Sequence, residues 1–130
     1  MDDLLALLRR VGLQPTPQRL AVARYVLRAR CHPTAEEVLT AARRECPTLS
    51  RATVYNTLSR LVERGLVKAW TIKEGVVIFD GQTTPHHHLV DVASGEIVDI
   101  PWEAVAVTGA EALEGFEVSE VQVVMRGRRR

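Results

Sequence analysis

Between Val77 and Val92 the chain reads "VIFDGQTTPHHHLVDV", an Asp, a Gly-containing turn and three consecutive histidines set between two apolar runs. On a β-strand, residues two apart face the same side, so His86 and His88 project together and His87 faces the other way. Asp80 closes the first run just before the turn, and Asp99 comes back on the next run, "EIVDI". Imidazoles and carboxylates gathered without thiolates suit Fe(II), Mn(II) or Zn(II). The same letters also fit an edge strand whose histidines are merely solvated, and residue types alone leave both readings open. Sulfur contributes little: the two cysteines, Cys31 and Cys46, exclude a disulfide framework and a four-thiolate zinc site. Both read as small, half-buried side chains. The pair Cys46-Pro47 admits a haem-responsive dipeptide, a signal of low specificity.

The elements that must position these groups follow from periodicity. "DDLLALLRRVG" is a short amphipathic helix closed by Gly12, and a second helix spans about Gln18 to Arg30, with Leu20, Val22, Ala23, Val26 and Leu27 as its apolar stripe. In "HPTAEEVLTAARREC" Thr34 is an N-cap with Glu37 three residues on, a capping box, and Val38, Leu39 and Ala42 face inward. In "SRATVYNTLSRLVERGL" Ser50 caps the start and Gly65 ends the helix, with Leu66 folding back. Val54, Leu58, Leu61 and Val62 share one arc, and Thr53, Asn56, Thr57 and Arg60 point away from it. Such a helix, following a short connection from another, suits insertion into a DNA major groove, or an ordinary solvated face.

"LVKAWTIKEGVVIFD" is a hairpin turning at Gly75, and three helices followed by a hairpin is the order of a winged helix. "HLVDVASGEIVDI" is a second hairpin, "PWEAVAVTGAEAL" a helix entered at Pro101, and "FEVSEVQVVM" an alternating strand. The predicted fold is α+β, with a winged-helix DNA-binding domain over 1–80 and a small β-β-α-β dimerisation domain over 81–130. The second lobe is too small to supply its own core, and dimerisation would complete it. The closing "RGRRR" is expected to fray.

Charge divides along the same line. The net charge is +1, yet residues 1–70 carry 12 Lys and Arg against 6 Asp and Glu, and residues 71–130 carry 5 against 10. A basic front half implies a polyanionic partner. Apolar residues make up 46%, enough for a core, and no apolar run approaches the roughly 20 residues a membrane-spanning helix needs. The N-terminus begins acidic and turns basic, the reverse of a secretory signal, so the expected location is the cytoplasm, away from membranes.

"LQPTPQR", "HPTAEEV", "SRATVYNTLSRLVERGLV", "FD", "HHHLV" and "SGEIVD" follow one another in the order and spacing of the ferric uptake regulator family, which the chain resembles from about Leu4 to Met125. The resemblance implies winged-helix homodimers whose affinity for double-stranded DNA, at a palindromic operator, is set by metal at the hinge. Residue by residue it implies His32, Asp80, His86, His88 and Asp99 as ligands of one Fe(II) or Mn(II), with Zn(II) able to substitute. It also implies Tyr55 at a thymine methyl or sugar. Asn56 suits pairing with adenine, Arg19 and Arg51 suit phosphates, and Thr53 and Arg60 complete the expected DNA face. The family's Cys-x-x-Cys is here Asp91 and Ser94, so no structural four-cysteine zinc is expected and the dimer must rest on apolar packing. Features of peroxide-responsive repressors and of haem-sensing iron-response regulators are both present.

The reading is therefore a metal-dependent transcriptional repressor sensing iron, manganese or peroxide, and not an enzyme. A small metallohydrolase or dioxygenase would need an open coordination position, which five protein ligands hardly leave, and a separate acid or nucleophile, which the sequence lacks. A metal-blind winged-helix protein would leave the five ligands without a task.

Overall fold

A computed structural model describes residues 3–28, 32–73 and 75–130. Cys31, read above as half-buried, lies outside the described residues. The chain divides into two compact units, Met1–Thr83 and Thr84–Arg130.

The first unit contains α1 (Asp3–Arg10), α2 (Pro17–Arg28), α3 (Ala35–Ala42) and α4 (Arg51–Glu63), followed by β1 (Lys68–Lys73) and β2 (Val76–Asp80). The boundaries come from local chemistry. The Leu13 N–H reaches back to the Leu8 carbonyl at 2.8 Å around Gly12, whose φ of 81° is open to glycine and strained for other residues. The same closure ends α4, where Gly65 and Leu66 donate to Val62 and Leu61. Thr34 and Glu37 form the complete reciprocal capping box at the start of α3, and Ser50 accepts the Thr53 N–H at the start of α4.

Val22, Val26, Val38, Val54, Leu58 and Leu61 are fully buried where the helices meet. Each such side chain removed from water contributes about 1.5–3 kcal/mol before its entropy cost. On α2 the buried residues are Ala21, Val22, Ala23 and Val26, while Leu20 and Leu27 lie at the margin of the core. Thr57 departs from the sequence expectation: it is buried, because its hydroxyl donates to the Thr53 carbonyl at 2.8 Å and frees its methyl to pack inward.

In the second unit β3 (His86–Asp91) lies between antiparallel β4 (Ile97–Pro101) and parallel β5 (Val124–Gly127). The β3–β4 turn is held by Asp91, whose Oδ1 accepts the N–H groups of Ala93 (2.9 Å) and Ser94 (3.3 Å). These bonds, the Ala93 one foremost, hold the Asp91 carboxyl below the ordinary carboxylate range. The predicted helix after Pro101 is instead two 3₁₀ turns, Trp102–Ala104 and Ala110–Ala112. Val105, Val107 and Thr108 are β-branched, and Gly109 takes φ 92°, which breaks any continuous helical path. The predicted strand over "FEVSEVQVVM" pairs only from Val124. The basic tail does not simply fray: Arg129 donates to Glu96 at 2.7 Å and lies 3.8 Å from Asp91. Trp102, Val107, Leu113, Phe116 and Val118 expose 40–79% of their surface.

Candidate functional site

Each unit builds its own set of metal-competent groups. In the first, the segment before α3 is tied to the second wing strand by the Phe79 N–H, which donates to the Pro33 carbonyl at 2.8 Å. That bond sets the neighbours of both residues, His32 and Asp80, side by side. His32 Nε2 lies 3.5 Å from Asp80 Oδ2, and both side chains are nearly buried. Asp80 Oδ1 accepts the Gln82 N–H at 2.9 Å, which orients the carboxylate. Gly81 makes this geometry possible: a Cβ there would stand 2.7 Å from the Val26 carbonyl oxygen and 3.1 Å from Leu27 Cα.

In the second unit the register does the positioning. His88 is directly opposite Asp99, and His86 is two residues away on the same face. The Asp99 Oδ1 lies 3.4 Å from His86 Nε2 and 3.8 Å from His88 Nε2, and the two rings stand 4.7 Å apart at 64°. His86 Nδ1 is 2.7 Å from the Thr84 carbonyl, which can only accept, so Nδ1 carries a proton and in the neutral ring the lone pair lies on Nε2. An imidazole so fixed is prepared as a metal ligand. Nitrogen and carboxylate oxygen donors, without sulfur, fit Fe(II), Mn(II) or Zn(II).

His87 has a different fate on the opposite face. It is buried and stacks on Trp102 at 4.6 Å between centroids. Its Nδ1 accepts the Val123 N–H at 3.1 Å, which leaves the proton on Nε2. A nitrogen carrying that proton cannot bind a metal, so the middle histidine is structural. His87 and Trp102 line a cavity of about 720 Å³ together with Val105, Val107, Phe116 and Val121.

The expected DNA face is also a property of the first unit. Arg51, Tyr55, Asn56 and Arg60 are exposed along α4, and Thr53 is half-buried with its hydroxyl accepting from Ser50 at 2.9 Å. Arg51 donates through Nε and Nη2 to the two carboxylate oxygens of Glu36, at 2.8 and 2.9 Å. The Tyr55 hydroxyl donates to the same carboxylate at 3.4 Å. The Arg51 bond, more than any other contact, holds the Glu36 carboxyl below its ordinary range, and in return Glu36 raises the Arg51 guanidinium. Arg19 lies on α2 and donates to the Gln14 carbonyl at 3.1 Å.

A family model described as the ferric uptake regulator family matches residues 10–126. The chain belongs to the ferric uptake regulator family. It is 36% identical over 102 residues to the peroxide-responsive repressor PerR of Staphylococcus aureus, across 78% of this chain and 69% of that protein. The peroxide stress regulator of Campylobacter jejuni superposes with a TM-score of 0.68 at 30% identity, over 99% of this chain and 98% of that one. The ferric uptake regulator of Pseudomonas aeruginosa, solved with manganese, gives a TM-score of 0.73 at 26% identity, over 96% of each chain. Members of the ferric uptake regulator family are DNA-binding, metal-responsive transcription regulators that work as dimers, and the chain is one of them rather than an enzyme. No described helix is long and apolar enough to cross a membrane.

Sequence reasoning missed Glu36, which reads as an ordinary first-turn acid beside the capping-box Glu37, and it missed what His87 does once turned away. The closest sequence signal for His87 is Trp102, an aromatic placed just after the strand that pairs with β3.

Proposed function

We propose that this regulator is a repressor whose homodimer binds a palindromic operator when each protomer holds Fe(II) or Mn(II), with Zn(II) able to substitute. His32, Asp80, His86, His88 and Asp99 would be the ligands of one ion. The observation that carries the reading is the convergence of His86 Nε2 and His88 Nε2 on one Asp99 carboxylate oxygen, with the opposite ring nitrogen of His86 held at the Thr84 carbonyl. The His32–Asp80 pair offers the same donor types from the other unit. In this reading residues 1–80 bind DNA, residues 81–130 hold metal and dimerise, and the shared ion sets the angle between the recognition helices.

On the DNA side, Asn56 would read a base edge, Tyr55 a thymine methyl or sugar, and Arg19 and Arg51 would hold phosphates, with Thr53 and Arg60 alongside. The exposed apolar residues Phe116 and Val118, with Val121, Val123 and Met125, would be covered by the second copy. Bound Fe(II) would supply the electron that reduces peroxide, and oxidation of His32 or His86 would then weaken the grip on DNA. The repressor named for peroxide in S. aureus and the peroxide stress regulator of C. jejuni support that signal.

The test uses His32→Ala and His88→Ala in the full chain. Both should keep the parent's helical circular dichroism, because the α-helices and their apolar core lie in the first unit and neither side chain belongs to that core, and both should lose metal-dependent DNA affinity in a retardation assay. Unchanged affinity in both variants, with a chelator making no difference to the parent, would refute the metal switch.

A further inference from the structure

One carboxylate on α3 gathers two residues of the recognition helix, Arg51 at its first position and Tyr55 in the turn that follows. Glu36 takes a two-pronged bond from the Nε–Nη2 edge of Arg51 and a longer one from the Tyr55 hydroxyl, one helical turn further on. The Arg51 and Glu36 side chains are 61% and 54% exposed. At such exposure an ion pair adds little to folding stability, so the arrangement calls for another explanation. Its geometry offers one. With Nε and one Nη2 hydrogen engaged, the guanidinium still has both Nη1 hydrogens and the second Nη2 hydrogen, and these point away from the edge held by Glu36. That end matches any pair of adjacent acceptors, whether guanine O6 and N7 or two phosphate oxygens.

We infer that Glu36 is a positioning residue for DNA recognition, clamping Arg51 and Tyr55 so that the free end of the guanidinium meets a two-acceptor partner on the duplex. The inference rests on the DNA-binding reading of α4. A free arginine explores many rotamers, and ordering it on binding weakens the complex by about 2- to 10-fold per protomer. A clamp in the unbound protein removes that loss beforehand. Glu36 also carries a negative charge towards a polyanion, so it must lower affinity for DNA of any sequence. The two effects have opposite signs. At the chosen site, where the guanidinium meets its acceptors in one fixed register, the clamp outweighs the charge. On other DNA, where no single register is kept, the charge outweighs the clamp, so loss of Glu36 should weaken the chosen site while strengthening indiscriminate binding.

The experiment uses the full-length, Mn(II)-loaded protein. The probes are a duplex selected by the parent from a random pool and a scrambled duplex of equal length. Glu36→Ala should keep the parent's melting temperature, bind the selected duplex about 5- to 100-fold less tightly as a dimer, and bind the scrambled duplex more tightly with a steeper salt dependence. Glu36→Gln, which keeps one acceptor oxygen but not the charge, should show the same gain on scrambled DNA and recover part of the loss on the selected duplex. In an Arg51→Ala background Glu36→Ala should no longer change the ratio. Replacing guanine by 7-deazaguanine, or single phosphates by methylphosphonates, identifies the acceptor pair: whichever abolishes the Arg51 dependence marks the base edge or the backbone. A Glu36→Ala ratio equal to that of a sequence-selective parent would overturn the inference and leave the DNA reading standing. A parent with no affinity for any duplex would overturn both.

Discussion

Gly81→Ala tests the link between backbone packing and the metal ligands most directly. The added methyl would meet the Val26 carbonyl oxygen at 2.7 Å, Leu27 Cα at 3.1 Å and the Leu27 carbonyl oxygen at 3.3 Å. All three are backbone atoms of the last turn of α2, so no side chain can swing aside. Overpacking of this kind costs about 1–3 kcal/mol. In a unit of this size each kcal/mol lowers the melting temperature by about 4–8 °C. The second consequence concerns Asp80, the preceding residue. Relief of the clash must move the Asp80–Gln82 turn away from α2, and ligand constellations tolerate displacements of only about 0.5 Å. Mn(II) affinity, measured by titration calorimetry, should therefore fall by roughly tenfold or more. Gly127→Ala is the control, because its methyl meets nothing nearer than Leu89 Cδ1 at 4.0 Å. It should leave melting within a few degrees of the parent and Mn(II) affinity unchanged. A Gly81→Ala protein that melts and binds Mn(II) like the parent would refute the assignment of Gly81 as the residue that lets Asp80 sit where it does.

DNA binding should weaken steeply with salt: a dimer neutralising ~6 phosphates gives a log–log slope of about −5, and Arg51→Ala should flatten it whereas Asn56→Ala mainly relaxes base preference. A slope near zero for the parent would contradict the DNA face. A Cys31→Ser/Cys46→Ser variant should still dimerise by ultracentrifugation, and mass spectrometry after peroxide should place oxidation of the iron-loaded protein on His32 or His86; modification confined to the cysteines of the parent would refute the histidine route. Asp91→Asn should matter at neutral pH and little in strong acid. The Asp91 carboxyl is held below its ordinary range, so its contribution is present above the unfolded carboxylate value of about 3.9 and disappears as pH falls through the lower folded value. Equal destabilisation at both extremes in acid titrations of stability would contradict that assignment.

Much of the first unit was legible because its signals are local. Thr34 and Glu37, or Gly65 and Leu66, act within a few residues of each other, and the structure has both motifs. The two-residue period likewise put His86 and His88 on one face. Thr57 was misplaced because a hydroxyl that bonds to its own helix behaves as an apolar group, which no hydropathy pattern records. The segment after Pro101 reads as a helix because a proline suits a helix's first turn, whereas the β-branched run and Gly109 decide its path. The Glu36–Arg51 pair joins residues fifteen apart on different helices, so it depends on how α3 packs against α4.

Three identical residues in a row are ambiguous to a β-ladder, since a slip by one position still offers imidazoles to the facing strand. The cost of such a slip is specific here, because it would turn His87 towards Asp99 in place of the His86–His88 pair and halve the nitrogen donors on that face. Val123 removes the ambiguity. Its N–H is given to the side chain of His87 and its carbonyl accepts the backbone N–H of His88 at 3.1 Å, two bonds that only one alignment satisfies. Replacing His87 with another residue would therefore leave both metal-facing histidines chemically intact, yet remove half of the key by which the strand knows its place.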